Sequence, residues 1–591
     1  TFDVAPGIYN EQVRMHAIGG TSATSRVTFR SANGNPASVT LNYDATDATK
    51  NYVLKLDSAS YVTYRDITIT AINTTNSRVV ELANIASYDS ITNCLINSQP
   101  STVASNVSSA VFANGIRGTS NVIKGNTITN GSAGIYWSGT GATILTYDHV
   151  IDSNIVNNSF QYGIYVGFNG RLTASRNIVN VTMPRNATNY GIYSTSSDSA
   201  YQYISNKVNI DGITAGTTYG IYFTGCDGRD GVPGRIAGNT ITGLTGNTGT
   251  LYGLYQTANT HNNTVNNVLS INTTGATSFA SYYTGGGGVK FHNNSLLNTS
   301  TSTTANNAAG YFAQTSGALP AINIQNNIFA HKGGGRALFV TNVNFIYSDY
   351  NTLYSTGAVL CNFNAANNYA TLQDWKNNTN WDINSIVYEP AFEDNITLKP
   401  NLANPDVWAI HGRGQHIVGN DYDFNNNPRP TTLTTGVPDM GAYEFLPTAL
   451  PTILTATPAV PAPGITQTFM YGTDTVAKVT YNATAPVPTS INLRRYSGVL
   501  PTGLSAGQQS MYFYTDIDVD AQGPYKYNIQ QFYVDPWRGF IPSENQIKLG
   551  RTNPADIWEV SSPSRTDISA NVISDTNIVH FDRYTGIAGD P

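Results

Sequence analysis

The chain has 591 residues and a net charge of −6, and only 12% of it is charged, against about 25% in an ordinary soluble protein. That length exceeds one globular core, and so weak and slightly acidic a charge sets up no field to attract phosphate, which excludes nucleic acid as an expected partner. No apolar run reaches the roughly 18 residues of a membrane span, and Cys94, Cys226 and Cys361 lie too far apart for a disulfide framework or a zinc site.

The opening Thr1-Phe2-Asp3-Val4 already reads as a strand, with no basic or apolar leader before it. The sequence is therefore expected to be a piece of something longer, with preceding sequence or another chain covering Phe2, Val4 and Ile8. Residues 52–70, "YVLKLDSASYVTYRDITIT", alternate over Val62, Tyr64, Ile67 and Ile69. Two repeats then run side by side. An Asn before a strand-like triplet stands at Asn93, Asn126, Asn154, Asn177, Asn206, Asn239, Asn267, Asn294, Asn327 and Asn351, with gaps of 23–33 residues. A Gly-Ile-Tyr phrase begins at Gly134, Gly163, Gly191 and Gly220, and Gly-Leu-Tyr follows at Gly253.

A period of roughly 20–50 residues marks a solenoid or an array. Short apolar alternations separated by Gly, Ser and Asn clusters make each unit several strands joined by turns. The pattern describes a right-handed parallel β-helix, in which each coil adds one strand to each of three sheets and coils stack about 4.8 Å apart. An inward Asn in each coil can then bond the Asn above and below it. Alternation across the strand predicts Ile164 and Val166 inside and Gly163 and Tyr165 outside. Tyr136, Tyr165, Tyr193, Tyr222 and Tyr255 are expected to form an exterior column, continued by Tyr282 and Phe312. Such a column either steadies adjacent strands or stacks on the sugar rings of cell-surface glycans.

Enzymes that cleave acidic polysaccharides need paired carboxylates, or a base with a cation. No Glu occurs between Glu81 and Glu389, and no Asp-Asp pair occurs anywhere. The best constellation is "CDGRDGVPGR", residues 226–235, where Asp227, Arg229, Asp230 and Arg235 offer a uronate or metal site, or else a Gly-punctuated turn with exposed ion pairs. His149, His261, His292, His331 and His416 lack metal-like spacing and read as turn or groove residues. In "NDYDFNNNPRP", residues 420–430, Asp421, Asp423 and Asn425 mimic the odd positions of a calcium loop, but Asn426 stands where Gly is needed. A structural Ca²⁺ is the one cofactor these residues raise. The bland alternative is a set of capping turns with Arg429 paired to Asp439 or Glu444.

The opening "PGIYNEQV", residues 6–13, this 420–430 stretch and "PDMGAYEF", residues 438–445, resemble the pectate-lyase-type β-helix domains of large secreted Bacteroidota surface proteins. The resemblance implies fold and secretion class, and leaves activity open. The β-helix is expected over residues 1–445. Residues 446–464 are Pro- and Ala-rich and read as a linker. Residues 465–591 carry alternating strands at about 10–15-residue intervals, the pattern of a smaller β-sandwich. "RYSG", residues 495–498, and "FDRYTGIAG", residues 581–589, are similar to the sandwich modules of the same surface proteins. Asp516, Asp518 and Asp520 fall on one strand face and are expected to form a solvated sheet edge or to hold one Ca²⁺.

These readings predict an all-β, non-catalytic structural or adhesive segment of a large exported bacterial surface protein or extracellular filament. Its expected partners are further domains of the same polypeptide, other copies of it, and cell-surface glycans. The alternatives are a polysaccharide lyase or glycoside hydrolase working at residues 226–235, and a glycan-binding module using the Tyr column.

Overall fold

In the computed structural model, residues 1–182, 187–213, 215–302, 304, 306–314, 321–341 and 346–589 are described. The chain forms a parallel β-helix of three stacked sheets, followed by two antiparallel sheets. Among the described residues the first sheet holds thirteen strands, beginning at Phe2–Val4; the second holds thirteen, beginning at Gly7–Asn10; the third holds fourteen, beginning at Val13–Met15. Every coil adds one strand to each sheet in register, as where Ile135, Ile164, Ile192 and Ile221 align.

By its internal contacts the chain divides into two compact units. One comprises residues 1–323, 331–347 and 355–368; the other comprises 324–330, 348–354 and 369–591.

The first unit is organised around an asparagine ladder. Asn126, Asn154, Asn177, Asn206, Asn239, Asn267 and Asn294 are all buried. The Oδ1 of Asn154 accepts from both the backbone N (3.1 Å) and the Nδ2 (3.0 Å) of Asn126. The Nδ2 of Asn154 in turn donates to Ile123 O (2.9 Å) and to Asn177 Oδ1 (3.0 Å). The same four bonds recur through Asn177, Asn206, Asn239 and Asn267. Each carboxamide is thereby saturated in a dry interior, where an unmade bond would be costly.

The residue before each ladder Asn explains the sharp corner between the first two sheets. Gly125, Ser153, Arg176, Ser205, Gly238, Asn266 and Asn293 all have φ between 53° and 67°. Left-handed backbone suits Gly125, Gly238, Asn266 and Asn293 and is unfavourable for Ser153, Arg176 and Ser205, where the ladder bonds on the following residue hold the turn. Asn93 is displaced from the expected column. It takes the left-handed position itself and is exposed, while Cys94 donates its backbone N–H to Asn126 Oδ1. Reading by residue type alone put that coil one place out of step.

The Gly-Ile-Tyr phrase is also built differently from simple alternation. Ile164 and Val166 point inward, fully buried, as expected. Gly163 does not face out: a methyl group in place of its hydrogen would lie 2.2 Å from Val179 Cγ1, across the interior, and 2.4 Å from Gly191 O in the next coil. Gly191 meets Val208 Cγ1 at 2.4 Å, and Gly220 meets Ile241 Cγ2 at 2.6 Å, in the same way. With Gly163 and Ile164 both inward, Tyr162 and Tyr165 both face out. The Tyr column continues from Tyr282 to Tyr311, and Phe312 pairs with Tyr283 and is buried. Phe312 is therefore one residue out of the expected register, which turns a side chain to the opposite face.

The second unit repeats the ladder pairing once, from Asn327 to Asn351 Oδ1 (2.9 Å from N, 3.1 Å from Nδ2), and ends it on Asp382 Oδ1 and Ser385 Oγ. The helix Leu372–Thr379 follows the strands; Thr371 Oγ1 caps it by accepting from Asp374 N, and Asn380 ends it in the left-handed region. Residues 446–464 lie against the preceding segment: Thr448 N and Ala449 N donate to Leu402 O, Trp408 Nε1 donates to Ala449 O, and Thr452 Oγ1 donates to Asp406 Oδ1. The strand Ala456–Thr457, within that stretch, begins a six-stranded sheet that forms the sandwich with a five-stranded one, with Phe469, Val479, Ile529, Leu493, Ile517 and Leu549 in its core.

Asn206→Ala is expected to destabilise the protein by about 3 kcal/mol, because it strands the buried backbone and side-chain N–H groups of Asn177. Asn180→Ala, in the half-buried outer Asn row, removes bonds to Asn157 and Asn209 that water can replace, and its expected cost is under about 1 kcal/mol. Urea unfolding of the two variants measures the difference; equal costs would contradict the interior ladder.

Candidate functional sites

The widest chemical feature of the first unit is the outer face of its third sheet. Two aromatic columns run along it. One is Phe112, Tyr136, Tyr165, Tyr193, Tyr222, Tyr255, Tyr282 and Tyr311. The other is Tyr162, Tyr190, Tyr219, Tyr252 and Phe279, a second row that simple alternation had hidden. The column tyrosines are half-buried. Ring centroids are 4.3 Å apart from Tyr136 to Tyr165, 4.7 Å from Tyr255 to Tyr282 and 4.2 Å from Tyr282 to Tyr311, with planes within 3° of parallel. Tyr190, Tyr219 and Tyr252 stack at 5.1 Å. Edge-to-face contacts such as Tyr219 to Tyr255 tie the two columns together. These rings direct much of their flat surface at one another along the coil axis, which is the geometry of strand stabilisation.

Residues 227–233 form a tight, largely exposed turn, and Arg235 lies on the strand Gly234–Ala237. Arg229 and Val232 exchange backbone hydrogen bonds of 3.3 and 3.0 Å. Asp227 accepts from Thr260 Oγ1 at 2.9 Å. Asp230 lies 3.6 Å from His261 Nε2 with its side chain 93% exposed. Arg229 and Arg235 are exposed as well.

The acidic turn at residues 421–427 is built by amides. Asp423 is buried and accepts from the backbone N–H groups of Asn425 (2.8 Å), Asn427 (2.7 Å) and Glu444 (2.8 Å), and from Asn427 Nδ2 (3.0 Å). Asp421 and Asn425 are exposed. Arg429 is paired with Glu444 and donates to Gly441 O, while Asp439 accepts from Gly412 N and Phe445 N. The "PDMGAYEF" phrase thus ties down two neighbouring loops. Among the described residues, no three His, Cys, Asp or Glu side chains gather as metal ligands.

Two expectations change here. Asp516 lies on a strand, Phe513–Val519, where it pairs with Arg494 on one side and Arg583 on the other, so it does not mark a sheet edge, while Asp518 pairs with Asn492 and is exposed. Arg494 is Asp516's cross-strand partner and sits 3.7 Å from Asp518, while Asp520 accepts from Thr489 and Ser490. His149, His292 and His331 are not groove residues but buried ones. His149 Nδ1 accepts from Asn121 N and its Nε2 lies 2.7 Å from Thr146 Oγ1; burial pushes its pKa down to about 3, so it stays neutral. It continues a second internal row, in which Val62 N donates to Asp89 and Asp89 N donates to Asn121. An imidazole there does the work of an amide.

No protein family matches the chain, and no curated protein is similar to it. Solved structures that match include the crystal structure of the Dettilon tailspike protein, at 10% identity and a TM-score of 0.33, over 98% of this chain and 86% of that one.

Burial raises the pKa values of Tyr162, Tyr165, Tyr190, Tyr193, Tyr219, Tyr222, Tyr252, Tyr255 and Tyr282, to about 12 for Tyr193 and Tyr255, above the usual value near 10. The folded state then holds its phenolic protons after the unfolded chain has lost them. The stabilisation is complete below about pH 10 and falls as pH rises from there toward 12. Absorbance titration at 295 nm is expected to show this late group of tyrosines and, at the same pH, falling thermal stability. Titration of all tyrosines near pH 10 in the folded protein would contradict it.

Proposed function

We propose that the chain is a non-catalytic rod-and-sandwich segment of an extracellular or cell-surface protein, working by holding and displaying. One observation carries the reading: the repeated residues serve the next coil. The Asn amides bond the next Asn, and the Tyr rings stack on the next Tyr or, at Tyr222, meet it edge to face. Repetition here therefore builds stiffness, since stability in a solenoid accumulates from neighbour to neighbour.

The resemblance of "PDMGAYEF" and "RYSG" to phrases of secreted surface proteins supports the extracellular setting. Among the described residues no helix is long and apolar enough to cross a membrane. The hydrolase or lyase reading would rest on Asp227, Arg229 and Asp230, which are exposed on a turn where Asp227 accepts from Thr260 and Asp230 lies near His261. Glycan contact on the Tyr face would use ring edges and hydroxyl groups more than free ring faces.

Incubation of the full chain with pectin, alginate and ulvan-type polysaccharides is expected to release no reducing ends or unsaturated products. Deletion of the gene is expected to remove surface attachment and leave polysaccharide degradation intact. Turnover that disappears in Asp227→Ala or Asp230→Ala would overturn the proposal.

A further inference from the structure

Carboxamides at the corners of the first unit make a repeated pair of bonds. The oxygen accepts a backbone N–H of the preceding coil, and the Nδ2 donates to the carbonyl three residues before that N–H. Asn126 accepts from Cys94 N and donates to Ile91 O. Asn154 accepts from Asn126 N and donates to Ile123 O. Asn121, in the second internal row, accepts from Asp89 N at 3.0 Å and donates to Ala86 O at 2.8 Å. Asn247 does the same with Ile213 N and Ile210 O, and Asn259 with Cys226 N and Phe223 O, their Nδ2 bonds being longer at 3.4 and 3.5 Å.

Asp89 fills this position with a carboxyl group. It stands in line with Asn121 on one side and Val62 on the other, as the register of the strands Val62–Arg65, Ser90–Thr92 and Val122–Lys124 requires. Its Oδ1 makes the oxygen's bond, accepting from Val62 N at 2.8 Å. The atom left to take the place of Nδ2 is Oδ2, and the carbonyl three residues before Val62 is that of Ala59. Ala59 O accepts from Ser87 N at 3.0 Å, which leaves its second lone pair. Asp89 is fully buried, and its Oδ2 receives no hydrogen bond. A carboxylate oxygen set against a carbonyl is repelled; only a carboxylic acid O–H can donate to it.

No neighbouring cation pairs with this carboxyl. Arg26, two coils earlier, acts on it from a distance, but its Nη2 donates to Tyr88 O and Ser90 Oγ. Arg65 on the preceding coil is paired with Asp66, and Lys124 on the following coil with Asp152. His149, beyond Asn121, is neutral and accepts from Asn121 N. Tyr61 and Tyr88, beside Val62 and Asp89 in the chain, stack on each other at 4.7 Å. Burial pushes the Asp89 pKa up to about 7, against the pull of the Val62 amide and Arg26.

We propose that Asp89 is a carboxylic acid whose O–H donates to Ala59 O, so that the corner joining the coils of Val62 and Asp89 is fastened by a proton. The carboxyl then copies a carboxamide: one oxygen accepts and the other donates. When the proton leaves, an anionic oxygen faces a carbonyl in a dry interior. This corner loosens, while the ladder that starts at Asn126 keeps its bonds. The folded chain holds the proton above the ordinary aspartate pKa of about 4. The stabilisation is therefore complete below about pH 4 and is lost as pH rises to about 7. A rod fastened in this way grips its early coils more tightly in acid.

Comparison of the full wild-type chain with Asp89→Asn tests this, because the carboxamide supplies both bonds at every pH. The two proteins are expected to melt together near about pH 4, with the variant melting progressively higher up to about pH 7 and by a constant margin above it. Their infrared difference spectrum is expected to hold a protonated-carboxyl C=O band at about pH 5 that is gone by about pH 8. A melting gap that does not change with pH, a difference spectrum lacking that band, or failure of Asp89→Asn to fold would each overturn the proposal.

Discussion

The first unit depends on one interaction, the bond from each buried asparagine carboxamide to the asparagine of the next coil. A β-helix turns its backbone sharply at every corner, and the corner peptides cannot all join the sheet ladders. The carboxamide solves this locally. Its oxygen takes the orphan N–H of the preceding coil's Asn, and its two N–H groups reach a strand carbonyl and the next carboxamide. An aspartate could not donate there and a glutamine would reach too far, so the residue type follows from the geometry.

The outer face follows from the same stacking. Coils locked in register place similar residues above one another, and a small inward residue, Gly163, Gly191 and Gly220 in the central coils and Ala280 and Ala309 further on, lets the strand press on the opposite sheet while aromatic rings leave on the outside. The aromatic columns go with that small inward residue. They add ring contacts to a sheet already fixed by hydrogen bonds, and their partial burial is what holds the phenols neutral.

The repeat was legible because a solenoid writes each structural position many times. The ladder from Asn126 to Asn294 and the column from Tyr136 to Tyr282 both follow from spacing. Single-residue offsets were not legible: Asn93 and Phe312 match the repeat in residue type but sit one place away from it, and nothing local distinguishes them. The inward Gly163 was missed because a strand with two consecutive inward residues breaks the period of two. Nor could any spacing bring Lys376, Arg413, Asp474, Arg495 and Trp537 to one cavity, whose lining runs from Lys376 to Asn571. The "RYSG" phrase shows the same limit: Arg495 lines that cavity, Ser497 donates to Trp408 O and His411 O, and Gly498 packs on Gly412, roles that only the fold assigns.

Hydrogen–deuterium exchange on the intact chain tests the stacking account most directly. If the carboxamide ladder is the organising bond, the backbone amides of Asn154, Asn177, Asn206 and Asn239 exchange only with global opening of the coils. They would then be as slow as the neighbouring strand amides of Ile151 and Val179. Corner amides that exchange rapidly while the strands between them stay protected would mean that the sheets hold the coils without the asparagines, and would contradict the account.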